Sequence, residues 1–401
     1  MHTTSRNTTS RDAVALSAAL TRSLTVLALV LTAILGGCSA TDVEPAPVPP
    51  SEATSLPLLG PAFMLGTTLY GGADLTTLGP RERALLDTST ARGLTGFTYY
   101  VDWANLEPEP GRYTLEEFAT TLDNLQQSGI RPYVNITVGD IENYNLPDGL
   151  SDGQGGLADG VSLDDPAVIE RFGRLLDQVV PILLSHDGFL LGVGNEVDVR
   201  FDESHPEERP AYARFVEAAR ERVRAIDPRL AIGVALTKQA ILNDSPTVRE
   251  LQAVTDVIPF NYAPIDPNFF VLEPEAINED FQSVVSAHGD GPIVIQELTC
   301  PSPVTMGASP AWQQSCFERL FEEIGATPQV RFASVFTFQD FDAETCDLVR
   351  DLFFGDELDD LPDDVAERLT DYLCFLGVVT PDGTPKPAWD TVLDAAESLT
   401  E

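Results

Sequence analysis

Two glutamates stand where apolar runs of the chain stop. Glu196 ends the segment Gly188-Phe-Leu-Leu-Gly-Val-Gly-Asn-Glu196, and Glu297 ends Pro292-Ile-Val-Ile-Gln-Glu297. Paired carboxylates of this kind can cleave a glycosidic bond, because the oxocarbenium-like transition state needs one proton donor and one carboxylate beneath the anomeric carbon. A separation of about 5–5.5 Å predicts a covalent glycosyl intermediate and retained configuration. At that range an anionic Glu297 is expected to raise the pKa of Glu196.

The elements that must position these glutamates alternate along the chain. Strands predicted from short runs of β-branched and aromatic residues cover Phe63–Tyr70, Thr95–Val101, Arg131–Val138, Phe189–Asn195, Leu230–Leu236, Asp256–Tyr262, Pro292–Glu297 and Phe332–Phe338. Amphipathic helical patterns lie between them. Eight such units predict parallel pairing closed into a single α/β domain, a (β/α)₈ barrel (TIM barrel), with its chemistry at the carboxyl ends of the strands. A doubly wound open sheet is the rival, but no G-x-G-x-x-G follows the first strand.

The amino-terminal part of the chain is typical of an export signal. Arginines precede a twelve-residue apolar run, Leu24–Leu35, which is short of the ~20 residues needed to span a bilayer. The run ends in Leu35-Gly-Gly-Cys38, which resembles a bacterial lipobox, and the resemblance implies a lipoprotein signal peptide over 1–37 and lipidation of Cys38. An ordinary secretory signal is the alternative. We therefore expect a Pro-rich tether over 38–58, a barrel domain over 59–401, and a cell-envelope location, lipid-anchored at the outer membrane or cell surface.

Several motifs together resemble glycoside hydrolase clan A, the retaining β-glycosidase barrels. They are the Asn195-Glu196 pair, the segment Trp103-Ala-Asn-Leu-Glu-Pro-Glu-Pro-Gly-Arg-Tyr113, the segment Asp256-Val-Ile-Pro-Phe-Asn-Tyr262, and Asp382-Gly-Thr-Pro-Lys-Pro-Ala-Trp389. The resemblance implies that Glu196 is the acid/base, that Glu297 is the nucleophile, and that Tyr262 hydrogen-bonds the nucleophile. Two features depart from the clan: the second strand lacks its usual arginine, and Phe338 and Gln339 stand where the eighth strand usually ends in a tryptophan.

Further side chains are candidates for contacting a sugar. Asn195 is expected to hold the sugar 2-hydroxyl, and aromatic rings can supply apolar faces. The full set of predicted substrate-binding residues is Asn195, Tyr262, Trp103, Asn135, Tyr99, Phe338 and Gln339, with Tyr100 and Tyr144 as additional aromatic candidates. Plain core packing is the alternative for each aromatic residue.

Four cysteines remain once Cys38 is set aside. In an exported chain they predict two disulfides, with three possible pairings. Local loop closure favours Cys300–Cys316 and Cys346–Cys374, and free buried thiols are the alternative. We expect no metal and no cofactor.

Charge limits the partners. The chain carries 24 Lys and Arg against 63 Asp and Glu, a formal charge of −39, which excludes nucleic-acid binding. The expected partners are a carbohydrate substrate and, through the lipid anchor, a membrane, with the protein a monomer. The function predicted is that of a retaining β-glycosidase. A catalytically degenerate glycan-binding barrel and a two-lobed solute-binding lipoprotein are the alternatives.

Overall fold

The computed structural model describes residues 56–60, 62–68, 80–353 and 361–399. The predicted signal peptide over 1–37, the lipidation site Cys38 and most of the tether lie outside the described residues. No helix in the described part of the chain is long and apolar enough to cross a bilayer.

Eight parallel strands form the centre of the molecule. They are β1 (Met64–Thr67), β2 (Leu94–Val101), β3 (Arg131–Ile136), β4 (Leu190–Gly192), β5 in two segments (Ala231–Gly233 and Leu236–Thr237), β6 (Phe260–Tyr262), β7 (Ile293–Leu298) and β8 (Val330–Val335). Each strand pairs with its neighbours in chain order, and β8 pairs with β1. The first segment of β5 pairs with β4 and the second with β6, so the sheet closes on itself. The predicted (β/α)₈ barrel is confirmed, and the open sheet is excluded.

Helices alternate with the strands as expected. They are α1 (Pro80–Ala91), α2 (Trp103–Leu106), α3 (Glu116–Gln127), α4 (Pro166–Ser185), α5 (Arg209–Ile226), α6 (Lys238–Leu242), α7 (Pro246–Val254), α8 (Pro274–His288), α9 (Pro310–Ala326), α10 (Ala343–Phe353), α11 (Asp363–Cys374) and α12 (Ala388–Leu399). A π-helix spans Arg200–Ser204, a 3₁₀ turn spans Val304–Met306, and a hairpin after β3 pairs Gly139–Asp140 with Asn143–Tyr144. Helices α10 and α11 were not predicted: they form an insertion between β8 and the last helix.

Two apolar clusters build the core. The larger lies between the strands and the helices that surround them, and the smaller fills the amino-terminal end of the barrel around Phe332. Gly66 and Gly96 make room for that ring, because a Cβ on either would lie 2.8 Å or less from a Phe332 ring carbon. Leu56 and Leu59 pack into the smaller cluster, so the chain already contacts the barrel at Leu56, within the predicted tether.

Both disulfides are intramolecular and local. Cys300, after β7, pairs with Cys316 on α9, and Cys346 on α10 pairs with Cys374 at the end of α11. This is the pairing that local loop closure favoured. The second bridge staples the two helices of the insertion to each other.

Candidate active site

The carboxyl ends of β4 and β7 bring Glu196 and Glu297 together at the barrel mouth. On β7, the pairing register shifts between Ile295 and Glu297 on the β6 side and between Ile295 and Leu298 on the β8 side. Such a bulge re-aims a side chain that strict alternation would turn outward. Gln296 and Glu297 therefore both contact residues at the barrel interior, although they are consecutive.

Glu196 has an unusual backbone. Its φ is +47°, and that of Gly194, two residues earlier, is +126°. Left-handed backbone is unfavourable for a residue with a Cβ, and strain of this kind concentrates at functional sites. The Glu196 amide donates to the Ala235 carbonyl of β5 at 2.8 Å, and Asn261 Nδ2 donates to Glu196 Oε1 at 3.0 Å. The sequence predicted that the strand continues to Asn195, but β4 ends at Gly192. The turn that follows it presents the Glu196 carboxylate to the barrel mouth.

Glu297 is held by a tyrosine, but not by the one predicted. The Tyr100 hydroxyl on β2 donates to Glu297 Oε1 at 2.6 Å. Tyr262 faces away from the barrel interior: its hydroxyl donates to Asp280 at 2.8 Å and its ring packs on Phe281 of α8. The prediction that Tyr262 orients Glu297 is therefore wrong, because successive residues of β6 alternate and it is Asn261 that faces inward.

A buried amide network lies below the two carboxylates. Gln296 Nε2 donates to Asn195 Oδ1 at 2.7 Å, and Gln296 Oε1 accepts from Tyr133 and Asn135. Asn135 also donates to the Gly194 carbonyl and accepts from its amide. Asn135 is fully buried, so its predicted substrate contact is wrong: it shapes the turn that carries Glu196.

Asn195 lies nearer the mouth. Its Nδ2 donates to Asp140 Oδ1 at 3.0 Å, and its Oδ1 accepts from Asn261 and Gln296. The bond to Asp140 uses one N–H of the Asn195 amide group, and the second N–H remains available to donate. Asp140 belongs to the hairpin after β3, and it adds a third carboxylate to the site.

Trp103 is a core residue. It is fully buried, packs on Phe172 at 4.8 Å, and donates through Nε1 to Glu107 at 3.0 Å. Glu107 also accepts from the Gly111 amide at 2.7 Å and pairs with Arg171 at 3.1 Å. The tryptophan motif after β2 therefore fixes a turn, and the predicted sugar contact of Trp103 is wrong.

Four other predicted contacts also turn out to be packing or structural bonds. Tyr99 stacks on Phe118, and Tyr144 donates to Glu208 beneath the Arg200 guanidinium. Phe338 packs edge-on against Trp389. Gln339 donates to the carbonyls of Thr380 and Pro381. Alternation along β8 instead carries Phe332, Ser334 and Phe336 along one face, which makes Phe336 the aromatic residue at the mouth end of that strand.

The Lys386 motif is likewise structural. The Lys386 ammonium lies 2.6 Å from Asp340 and donates to Ser302 at 2.9 Å, with Lys386 and Asp340 both buried. The pair joins the start of α12 to the segment after β8. Its bonds therefore hold the start of α12 against the segments that follow β7 and β8.

The two glutamates have raised and unequal pKa values. Burial, and then the negative charges of Glu297 and Asp198, raise the pKa of Glu196 to about 8, and the Asn261 hydrogen bond opposes the rise. Burial also raises the pKa of Glu297 to about 7, while the Tyr100 hydrogen bond lowers it. Of the two groups, Glu297 ionises first and Glu196 keeps its proton. That order suits a nucleophile and a general acid.

Stability is expected to fall as pH rises across this range. Burial raises the pKa values of Glu196 and Glu297 as above, and those of Asp198 and Asp340 to about 6. The folded protein therefore binds more protons than the unfolded chain between about pH 4 and 8, and unfolding free energy drops with pH there. Buried His288, whose pKa is lowered, opposes this only below about pH 6.5. We expect a melting temperature several degrees higher at pH 5 than at pH 8, and a smaller difference in Glu196→Gln. A higher melting temperature at pH 8 would contradict this expectation.

One group of possible metal ligands lies among the described residues. Atoms of His205, Glu207 and Glu208 lie within 4.8 Å of one another. Glu208 is already bonded to Arg200 and Tyr144. These bonds explain the position of Glu208 without a metal. The spacing of the histidines in the sequence did not indicate this group.

Sequence reasoning missed the residues that complete the site. Tyr100 was considered only as a sugar platform, and Asn261, Gln296, Asp140 and Asp198 were not considered. Asp198 accepts from the amide and hydroxyl of Thr237 on β5 and so braces the turn that follows Glu196. For Asn261 and Tyr100 the available signal was alternation, because each lies one residue from a tyrosine that faces away from the barrel interior.

Comparison with known proteins bears on the fold. No family model and no curated protein sequence matches the chain. Among solved structures, an exo-β-1,4-mannosidase from Opitutaceae bacterium strain TAV5 is 18% identical with a TM-score of 0.61, and the alignment covers 84% of this chain and 60% of that one. A GH5_18 protein from Bifidobacterium longum subsp. longum is 14% identical with a TM-score of 0.63, covering 84% and 79%. A GH5_18 protein from Streptomyces cattleya in complex with Manβ1-4GlcNAc is 16% identical with a TM-score of 0.60, covering 84% and 80%.

These similarities define the class of barrel. The chain has the fold of the GH5 glycosidases, in agreement with its resemblance to glycoside hydrolase clan A. It spans three fifths of the length of the mannosidase. At such low identity the likeness concerns the fold, and the chemistry has to be argued from the site.

Proposed function

We propose that the protein is a retaining β-glycoside hydrolase in which Glu297 is the nucleophile and Glu196 the acid/base. The observation that carries the proposal is the pair itself: two partly buried carboxylates at the ends of β4 and β7, with Glu297 held by Tyr100 and Glu196 by Asn261. The charge of Glu297 raises the pKa of Glu196. Their unequal pKa values supply one anion and one proton donor near neutral pH.

The reaction then has two displacements. Glu297 attacks the anomeric carbon while Glu196 protonates the glycosidic oxygen, so the leaving sugar departs as an alcohol and a glycosyl ester forms on Glu297. Glu196, now anionic, takes a proton from water, and the resulting hydroxide displaces Glu297 from the opposite face. Two inversions give net retention. Asn195 is suited to hold the 2-hydroxyl through its remaining Nδ2 proton.

A β-mannoside is the substrate to test first. The structural neighbours include an exo-β-1,4-mannosidase and a protein in complex with Manβ1-4GlcNAc. The formal charge of −39 also disfavours polyanionic glycans, which the acidic surface would repel. A neutral β-linked sugar is therefore consistent both with the structural neighbours and with the acidic surface.

A panel of 4-nitrophenyl β-glycosides and β-1,4-linked disaccharides tests this proposal. We expect hydrolysis of at least one β-linked neutral substrate, with the β-anomer as the first product seen by NMR. An α-anomer as first product would contradict the double displacement. Glycan binding without turnover of any substrate would instead favour the degenerate, glycan-binding barrel, for which the absent arginine on β2 is the supporting observation.

We also propose that Cys38 anchors the protein to the cell envelope. The Leu35-Gly-Gly-Cys38 segment supports it. Intact mass of the mature protein from membranes tests it: an unmodified amino terminus at another residue would exclude lipidation.

A further inference from the structure

The insertion between β8 and α12 contacts the segment that follows β7, the strand that carries Glu297. Its helices α10 and α11 are stapled by Cys346–Cys374, and the Phe341 amide donates to the Cys374 carbonyl at 3.0 Å. A small apolar cluster joins α11 to the loop after β6, with Leu361, Leu369 and Phe269 among its members. The insertion therefore packs as a unit with neighbouring loops at the mouth.

Polar contacts tie α11 to two more loops. Arg368 Nε donates to the Asn268 carbonyl at 2.7 Å, and its guanidinium lies 4.1 Å over the Phe270 ring. Asp371 accepts from Thr305 in the loop after β7. The loops after β6, β7 and β8 thus form one assembly beside the site, and α11 is its central element.

Tyr372 joins α11 to the end of β7, the strand that carries Glu297. Its hydroxyl lies 3.4 Å from Thr299 Oγ1, two residues after Glu297. Burial, and then the charges of Glu297 and Glu196, raise the pKa of Tyr372, so the phenol stays protonated beside both carboxylates. Its bond to Thr299 is long, so the hydroxyl retains most of its capacity to bond a ligand.

Phe269, in the loop after β6, lies next to Tyr372, and the two rings form one aromatic surface. The two ring centroids lie 5.7 Å apart, and Phe269 has a φ of +62°. A bulky residue in left-handed backbone is strained, and such strain persists where the surrounding structure enforces it. Beyond it Phe270 is 42% exposed, one of the few large apolar side chains in the described residues that face solvent.

We propose that Tyr372 and Phe269 form a wall of the substrate cleft that contacts a neutral pyranose ring bound over Glu196 and Glu297. This rests on the proposed glycosidase function. The aromatic rings face the apolar C–H surface of the sugar, and the Tyr372 hydroxyl bonds one of its hydroxyls. The wall comes from an insertion, so the barrel strands alone do not complete the sugar site.

Tyr372→Phe tests the wall with little risk to folding, because only the hydroxyl is removed. On the best substrate of the panel we expect KM to rise roughly fivefold while kcat changes less than twofold, as for loss of a neutral hydrogen bond made to bound substrate. Tyr372→Ala should lower kcat/KM by a further tenfold or so, because the apolar face is lost as well. Leu348→Ala is the matched control: Leu348 is 63% exposed on α10 of the same insertion, and this variant should match wild type.

A binding measurement separates the wall from a purely structural role. In the Glu297→Ala background, calorimetry should show weaker binding of the intact disaccharide when Tyr372→Phe is added, with no change in melting temperature. Wild-type turnover with an unchanged KM in Tyr372→Phe would overturn the wall and leave the proposed function standing. A wild-type protein that neither binds nor cleaves any β-glycoside would overturn both.

Discussion

Glu297→Ala is expected to lose turnover of an aryl β-glycoside by at least about 10⁴-fold. The glycosyl ester cannot form without this carboxylate, and the shortened side chain leaves space beneath the anomeric carbon. Azide entering that space should restore cleavage and yield the α-configured glycosyl azide, the product of a single inversion. Product configuration by NMR is the measurement.

Glu196→Ala provides the matched half of the experiment. An aryl leaving group scarcely needs a proton, so formation of the glycosyl-enzyme should be affected little and its hydrolysis should slow by about 10²–10⁴-fold. Azide should then attack the accumulated intermediate to give the β-configured product. If both variants kept wild-type activity, or if both gave the same azide anomer, the assignment of roles would be wrong.

Tyr100→Phe should move the acidic limb of the pH–rate profile to higher pH. The Tyr100 hydroxyl bonds Glu297 at 2.6 Å and lowers its pKa, whereas burial raises that pKa to about 7. Glu297 must be ionised to attack, so loss of a hydrogen bond to a charged group, about 1.5–3 kcal/mol, should shift the limb by roughly one to two pH units. The pKa of Glu196 is about 8. The pH range in which Glu297 is ionised while Glu196 is still protonated should therefore nearly vanish in this variant.

The control for this variant lies one residue away. Tyr99→Phe alters a tyrosine on the same strand whose ring stacks on Phe118 outside the barrel interior. Its pH–rate profile should keep the wild-type limbs. A Tyr100→Phe profile that falls in height without shifting its acidic limb would show that Tyr100 contributes packing, not control of the nucleophile.

The long-range architecture was readable because it depends on repeated local patterns. Eight alternations of apolar run and amphipathic helix are enough to imply a closed barrel, and the glutamates at the ends of β4 and β7 follow from where the apolar runs stop. The disulfides were predictable because both close short loops. None of these inferences depends on the direction in which a particular side chain points.

The facing of individual residues could not be read in the same way. A one-residue difference on a strand separates Asn261 from Tyr262 and Tyr100 from Tyr99. The prediction named Tyr262 instead of Asn261, and it named both tyrosines of β2 without distinguishing the one that faces inward. The bulge on β7 breaks the alternation altogether, so Gln296 and Glu297 both reach the site. Trp103 was misjudged for another reason: its hydrogen-bond partner Glu107 lies in the same motif, but Phe172, which packs on its ring, and Arg171, which pairs with Glu107, come from α4 and are brought there by the tertiary structure.

The left-handed backbone of Glu196 has a consequence for engineering. A residue with a Cβ in this conformation forgoes on the order of 1–2 kcal/mol relative to glycine, and its carboxyl group is held in a buried site beside the charge of Glu297, which raises its pKa. Substitution by glycine or asparagine would relieve both, so a library screened for heat resistance alone would enrich variants at position 196 that fold better and no longer turn over substrate. Thermostable forms of this protein have to be selected on retained catalysis, with that position held fixed.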